Sequence, residues 1–225
     1  MPNSADFIWS PTRENSYRVH SPWWELVWHP VRGLTRFRLS SSGWEIPSML
    51  GLAEFTSLSR SWNLSHDSPA DVFIQGDRIT ASWQATPQRP IEIHARWILE
   101  LHRFWLEISL LTPSRLESLT CYTQSYLSQC HQHASPELHP DVRAALLHPA
   151  LAPDWAYLEL APRYDVHELH VQDGLIRFGL FHDDLEKGVV LRTRLLATYV
   201  RTPLDTIQVE RIANDFAHAP PDLSR

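Results

Sequence analysis

Cysteine is scarce in this sequence, with only Cys121 and Cys130 among 225 residues. Two cysteines are too few for a disulfide framework, and a chain of this length buries about 70% of its unfolded surface without such a staple. No run of about 18 apolar residues occurs, so no membrane-spanning helix is predicted. Residues 1–10 lack the basic start and long apolar run of a signal peptide. We therefore expect a protein of the reducing cytoplasm.

Basic residues are fewer than acidic ones: the sequence has 20 Lys and Arg residues and 26 Asp and Glu residues, which gives a net charge of −6. A chain with this balance is not expected to be a general nucleic-acid binder. The sequence lacks a glycine-rich phosphate loop, a nucleophile elbow and an HExxH segment. We therefore predict no cofactor, and the sequence leaves the oligomeric state open.

Metal-compatible side chains occur in one segment without a metal-binding pattern. Cys130, His131, His133 and His139 are close in sequence, but their spacing matches no zinc motif. We predict no metal site, and a metal-dependent enzyme that uses these histidines is retained as a third alternative for function.

Alternation of apolar and polar residues is the dominant pattern in the chain, which is 43% hydrophobic and contains ten tryptophans. Such alternation predicts half-buried β-strands. The predicted strands are 17–20, 23–29, 34–40, 71–75, 78–86, 91–101, 104–112, 115–124, 155–160, 165–171, 175–181 and 189–195. Many short strands indicate a sandwich or barrel, and charge on one strand face favours two stacked antiparallel sheets. We predict an all-β sandwich in one domain over residues 1–225.

Three segments do not alternate clearly. Residues 1–16 are polar and are predicted to form a loosely held arm. Residues 49–58 are compatible with a short helix or a buried strand. Residues 125–153 are predicted to be a long connection that contains a short helix over 140–147.

The C-terminal segment has helical spacing instead. Its apolar residues at i, i+3, i+4 and i+7 are Val209, Ile212, Ala213 and Phe216. Asp205 with Gln208 resembles a capping box. The pattern predicts a short helix over 205–217.

An acidic turn precedes the last predicted strand. Asp183, Asp184 and Glu186 lie within 182–194, a stretch that continues into an alternating segment. A partly buried carboxylate beside other carboxylates has a raised pKa, which suits a general base near neutral pH. The alternative is a solvated acidic turn with Lys187 and the following arginines as counter-charges.

Basic residues recur at alternate positions on three predicted strands, so each pair shares one strand face. The pairs are Arg36 with Arg38, His94 with Arg96, and Arg192 with Arg194. Glu92 shares the face of His94 and Arg96, and Glu107 and Ser109 lie on the following strand. If that strand packs beside the strand of Arg192 and Arg194, arginine–carboxylate ladders form that sugar hydroxyls can bridge. The arginine fork also suits an acidic sugar. The alternative is a solvated face, in which each cross-strand ion pair contributes about 0.2–1 kcal/mol.

The tryptophans have two interpretations. Most occupy positions that alternate with core residues, and burial is the usual fate of such side chains. Trp44 and Trp62 lie in predicted loops, so these two are the candidates for stacking against a sugar ring.

Residues 78–112 follow an order of turn, long strand, tryptophan-bearing strand and a strand that ends in Leu-Leu-Thr-Pro. This order resembles the middle of galactose-mutarotase-like β-supersandwich proteins, which include aldose epimerases and domains of polysaccharide lyases. The resemblance implies a supersandwich fold, with a histidine general acid and a glutamate general base that exchange protons with a sugar. Glu186 is similar in position to that glutamate. The asparagine–histidine–aromatic segment of the epimerases is missing, and His94 matches no family motif.

We predict a carbohydrate-binding protein, related to sugar epimerases or lyases if it is catalytic. The predicted catalytic residues are Glu186 and His94, and the predicted substrate-binding residues are Arg36, Arg38, Arg96, Asp183, Asp184, Arg192 and Arg194. The rival interpretation is a non-catalytic structural or protein-interaction domain.

Overall fold

The computed structural model describes residues 7–12, 15–40, 44–58, 60–64 and 67–219, apart from the side chains of residues 131–133. Within these residues the chain forms seventeen strands and one helix. The elements are β1 (Ile8–Pro11), β2 (Tyr17–His20), β3 (Trp24–His29), β4 (Gly33–Leu39), β5 (Glu45–Ser57), β6 (Arg60–Asn63), β7 (Asp71–Gln75), β8 (Arg78–Trp83), β9 (Glu92–Leu99), β10 (Arg103–Leu111), β11 (Leu116–Tyr126), β12 (Cys130–Ala134), β13 (Val142–Pro149), β14 (Trp155–Pro162), β15 (Val166–Gln172), β16 (Leu175–Leu185), β17 (Val190–Arg201) and α1 (Thr206–His218).

The strands form two antiparallel sheets. Sheet A has nine strands in the order β1-β2-β3-β4-β5-β11-β16-β15, with β6 paired to β5. Sheet B has eight strands in the order β12-β13-β14-β17-β10-β9-β8-β7. The predicted all-β sandwich with a short C-terminal helix is therefore confirmed.

The main core lies between the two sheets and is rich in aromatic side chains. The rings of Trp28 in sheet A and Trp97 in sheet B meet edge to face, with centroids 5.4 Å apart. The indole Nε1 of Trp97 donates a hydrogen bond to the Leu50 carbonyl across the core at 2.9 Å. Alternation places these residues inward, because successive side chains of a strand point to opposite faces. The prediction that most tryptophans are buried holds for both.

Helix α1 covers part of the outer face of sheet B. Its buried residues Val209, Ile212, Ala213 and Phe216 form a second apolar cluster with residues of β13, β14 and β17. Asp205 is the N-cap, and its side chain accepts a hydrogen bond from the Ile207 amide at 3.0 Å. The predicted terminal helix is confirmed.

The helix predicted over 140–147 is wrong, because these residues belong to β13. Segment 125–153, predicted as a long connection, also contains β12. Strand β13 is buried on the core side and under α1, so it is apolar on both faces. A strand without alternation cannot be told from a buried helix by periodicity.

Other boundaries differ from the predictions. Residues 49–58 lie mostly in the long strand β5, which decides between the two alternatives in favour of a strand. Part of the predicted arm, residues 8–11, pairs with β2, whereas residues 1–6 and 13–14 lie outside the described residues. Strand β16 continues through Leu185, so the turn before β17 is shorter than predicted. No helix of the described chain is long and apolar enough to cross a bilayer.

Candidate functional site

A groove of about 540 Å³ lies on the outer face of sheet B, beside the C-terminal end of α1. We call it the sheet B groove. Strands β8, β9, β10 and β17 contribute lining residues, as do the loop after β14 and the end of the helix. The polar and charged residues among its lining are Thr80, His94, Arg96, Glu107, Ser109, Tyr164, Asp165, Arg192, Thr193 and Arg194. The structure thus brings four of the nine predicted site residues together: His94, Arg96, Arg192 and Arg194.

Strand pairing explains this convergence. Strand β10 lies between β9 and β17, so Glu107 is opposite Arg96 on one side and Arg194 on the other. In the same way Ser109 lies between His94 and Arg192. Directly paired residues of neighbouring strands have Cα atoms about 4.5–5.5 Å apart, so each row forms a continuous ladder. Strand β10, which carries Glu107 and Ser109, thus packs beside the strand of Arg192 and Arg194, as the predicted arginine–carboxylate ladder requires.

Arg96 and Glu107 neutralise each other within the ladder. The Nε of Arg96 donates to Glu107 Oε2 at 2.7 Å, and its Nη2 donates to the same oxygen. Both side chains are largely buried. This pair therefore fixes the middle of the groove and contributes no net charge to it.

Arg194 is a buried cation at the helix end of the groove. Its Nη2 donates to the Phe216 carbonyl of α1 at 2.6 Å, and its guanidinium carbon lies 5.0 Å from the centroid of the Phe216 ring. Burial lowers the pKa of this guanidinium. No ion pair to a carboxylate forms at this guanidinium within the described chain, and the charge of Glu107 raises its pKa in opposition to burial. Arg194 therefore adds positive charge to the groove.

Arg192 is exposed, and it has no hydrogen-bond or ion-pair partner among the described residues. It lines the groove together with the apolar residues Leu111 and Val190. Its guanidinium can therefore meet a ligand without first breaking an internal contact.

Asp165 was not predicted as a site residue from the sequence, yet it is among the residues that line the groove. The residue is 9% exposed, and its Oδ2 accepts a hydrogen bond from the Thr193 hydroxyl at 2.6 Å. Burial raises the pKa of this carboxyl to about 6, and the nearby charge of Asp183 acts in the same direction. The neighbouring Tyr164 is 83% exposed. Both residues lie between β14 and β15, where no alternation marks them; the only local signal is a Pro-Arg-Tyr-Asp turn.

Arg36 and Arg38 lie on the opposite side of the sandwich, on the outer face of sheet A. They line a smaller hollow of about 310 Å³ with Arg18, Glu25 and Glu45. Arg38 forms an exposed ion pair with Glu45 at 3.4 Å. These two arginines therefore do not share a groove with Arg192 and Arg194.

The acidic residues before β17 form a separate cluster around Arg115. Asp184 accepts hydrogen bonds from Arg115 at 2.6 Å and from the Ser118 amide at 3.0 Å. The Arg115 guanidinium lowers the pKa of Asp184. Glu186 lies 3.3 Å from Arg115 and is not among the residues that line the sheet B groove. The counter-charge of this acidic turn is therefore Arg115. Lys187 and the following arginines were predicted instead, because Arg115 is distant from the turn in sequence.

Asp183 is exposed, on a strand next to the cluster. It belongs to β16, in a stretch where Phe181 and His182 both have positive φ angles, of 75° and 85°. These backbone angles interrupt the pairing between β11 and β16. The predicted acidic residues thus do not converge with His94 in one groove.

The two predicted aromatic platforms differ. Trp44 is only 4% exposed, and its ring packs against Tyr199 in the core, so its assignment as a platform is wrong. Trp62 is half-buried, and its indole donates to the Gln88 carbonyl at 2.6 Å.

No group of three or more His, Cys, Asp or Glu residues that could hold a metal ion occurs among the described residues. The side chains of His131 and His133 lie outside them. The metal-dependent alternative therefore stays a prediction without support from the fold.

No protein-family model and no curated protein matches this chain. Solved structures share its fold. A TPR-domain containing protein from Parabacteroides distasonis has a TM-score of 0.62 and 11% identity, over 96% of this chain and 50% of that chain. A polysaccharide lyase has a TM-score of 0.56 and 11% identity, over 79% of this chain and 32% of that chain. A protein from Escherichia coli K12, provisionally assigned as an aldose 1-epimerase, has a TM-score of 0.50 and 8% identity, over 79% of this chain and 96% of that chain.

These likenesses show the sandwich fold alone, because all three identities are low. The chain spans about a third of the length of the lyase and half of the TPR-domain protein.

Proposed function

We propose that this protein binds carbohydrate in the sheet B groove. The observation that carries the proposal is the convergence of His94, Ser109 and Arg192 from three neighbouring strands onto the largest of the grooves described above. Ligand sites are typically concave, with volumes of about 300–1,000 Å³ and a few fixed polar groups on mainly apolar walls. Rigid strands hold these groups in register, which suits recognition of a ligand with several hydroxyls.

The groove offers both kinds of contact that a sugar requires. Sugar hydroxyls need donors and acceptors, and the groove supplies them as arginine, histidine, serine and carboxyl groups. The apolar face of a sugar ring needs a flat partner, and the exposed ring of Tyr164 lies at this site.

The fold supports the proposal. Two of the similar structures are a polysaccharide lyase and a protein provisionally assigned as an aldose 1-epimerase, whose names both refer to carbohydrates. We also propose that this chain is related to galactose-mutarotase-like proteins.

A second candidate function is proton transfer to the bound sugar, and Asp165 favours it. A carboxyl with a pKa of about 6 exchanges protons readily near neutral pH. It lines the same groove as His94. In this proposal Asp165 takes the general-base role that was predicted for Glu186, which is not among the residues that line the groove.

Ligand titration with groove and control variants tests the proposal. We expect neutral and acidic mono- and disaccharides to include ligands of the wild-type protein in calorimetric titration. Tyr164→Ala removes the ring and should weaken binding by about three- to tenfold, as for other aromatic contacts. Tyr126→Ala removes a half-exposed tyrosine that does not line the groove, so it should leave binding unchanged.

Two results would contradict the proposal. Absence of binding across the sugar panel would favour a structural or interaction domain. Loss of binding in Arg36→Gln, with retention in Tyr164→Ala, would move the site to the outer face of sheet A.

A further inference from the structure

We propose that the saccharide bound in the sheet B groove carries a carboxylate, and that Arg192 is the residue that recognises it. This inference rests on the proposed function, because it names the class of sugar for the same groove. It is carried by the distribution of charge among the lining residues.

The first step is the charge that the groove retains after internal pairing. Arg96 and Glu107 cancel each other, because both arginine nitrogens bind the same carboxylate oxygen. Arg192 and Arg194 then remain, and the carboxyl of Asp165, the other acidic residue of the lining, is hydrogen-bonded to Thr193. The groove lining is therefore net positive on a chain whose net charge is −6. A local charge opposite to that of the whole chain indicates an anionic ligand.

The second step separates the roles of the two arginines. Arg194 is held from behind by the Phe216 carbonyl at 2.6 Å and is 9% exposed, so it supplies a fixed positive field. Arg192 is exposed and has no partner among the described residues, so its five N–H donors are free for a ligand. The planar fork of arginine matches the two oxygens of a carboxylate.

The third step concerns the surroundings of Arg192. The apolar side chains of Leu111 and Val190 line the groove with it, and Ser109 is its paired neighbour on β10. Val190 is 42% exposed and Arg192 is exposed, so the preference comes from the match between the guanidinium fork and a carboxylate and not from burial. The serine hydroxyl supplies a partner for a sugar hydroxyl beside the carboxylate. A sugar acid can contact the guanidinium, the serine hydroxyl and the apolar side chains together, whereas a neutral sugar offers no carboxylate to the guanidinium.

The test compares three ligands of the same size class in calorimetric titration: D-glucuronate, D-glucose and glucose 6-phosphate. We expect glucuronate to bind about tenfold or more tighter than glucose, the scale of a charged hydrogen bond. Arg192→Gln should bring the two affinities together, and Arg192→Lys should restore only part of the preference. Arg60→Gln removes one exposed arginine from a strand of sheet A and should keep the full preference.

Each outcome decides the inference. Equal affinities of wild-type protein for glucuronate and glucose would overturn it and leave the proposed function intact. If neither glucuronate nor glucose binds, this inference is overturned, and the proposed function falls with it only if the wider sugar panel also shows no binding. A preference that survives in Arg192→Gln would overturn the role of Arg192. Tighter binding of glucose 6-phosphate than of glucuronate would show a phosphate site instead of a carboxylate site.

Discussion

The carboxyl group of Glu159 is fully buried. It lies in the core, where its Oε2 accepts a hydrogen bond from the Tyr157 hydroxyl at 2.7 Å. Its Oε1 has no hydrogen-bond partner within the described chain. Burial raises the pKa of this carboxyl from 4.5 to about 7. The folded protein therefore favours the neutral acid, because an ionised group in the core would be poorly compensated.

We predict that Glu159 makes the protein less stable as the pH rises. Below pH 4.5 the group is protonated in the folded and unfolded states alike. Between pH 4.5 and about 7 only the unfolded state ionises, so the free energy of unfolding falls, by about 3 kcal/mol in total. Glu159→Gln, which resembles the neutral acid, should lack this loss.

Urea unfolding of both proteins at about pH 5 and about pH 8 measures the effect. Glu210→Gln on the exposed side of α1 is the matched control and should follow the wild type. A pH dependence that is the same in Glu159→Gln and in the wild type would contradict the prediction.

At the scale of elements, two glycine turns flank strand β16 and differ in their surroundings. Asp173 and Gly174 both have positive φ angles, of 50° and 79°, as the tight turn between β15 and β16 requires. A Cβ atom on Gly174 would lie 1.9 Å from the Leu127 carbonyl oxygen. Gly188 has a similar φ of 78°, but a Cβ there would meet nothing within 4 Å. The two positions share backbone strain, and only Gly174 adds a steric clash.

We therefore predict that Gly174→Ala destabilises the protein more than Gly188→Ala. The strain of a left-handed alanine should cost Gly188→Ala about 1–2 kcal/mol. The clash with backbone at Gly174 should add at least about 2 kcal/mol, because strands must shift to relieve it. Urea unfolding of the two variants measures the difference directly. Equal losses would show that the Leu127 backbone moves away at little cost.

At the scale of the whole molecule, aromatic contacts join the two sheets into one core. The ring of Phe37 in sheet A stacks on Tyr199 in sheet B, with centroids 4.8 Å apart. The indole of Trp24 donates across the core to the Leu101 carbonyl at 3.1 Å. Neither sheet can expose these side chains without unfolding its partner.

This shared core predicts one cooperative unfolding transition for the chain. Tryptophan fluorescence reports on packing in the core, and far-ultraviolet circular dichroism reports on the strands. The two signals should therefore give the same urea midpoint and the same slope. Two separate midpoints would contradict the expectation of a single domain.

Residue spacing along the chain is sufficient to predict the local structure. Period-two alternation predicts most strands, and it assigns the inward side chains of β3 and β9 correctly, because strand geometry depends on neighbouring residues alone. Helical spacing after Asp205 predicts α1 for the same reason. The all-β sandwich follows from the number of such segments.

Which strands become neighbours follows from the three-dimensional fold and not from residue spacing. The fold places Arg192 beside Ser109 and leaves Arg36 on the other sheet, although all three follow the same alternating pattern. It also adds Asp165 to the groove and pairs Glu186 with Arg115. Alternation fixes the face of each side chain on its own strand, whereas sheet order depends on contacts between residues far apart in sequence. The candidate site depends on the sheet order. Several of its residues could therefore be predicted from the sequence, but which of them lie together could not.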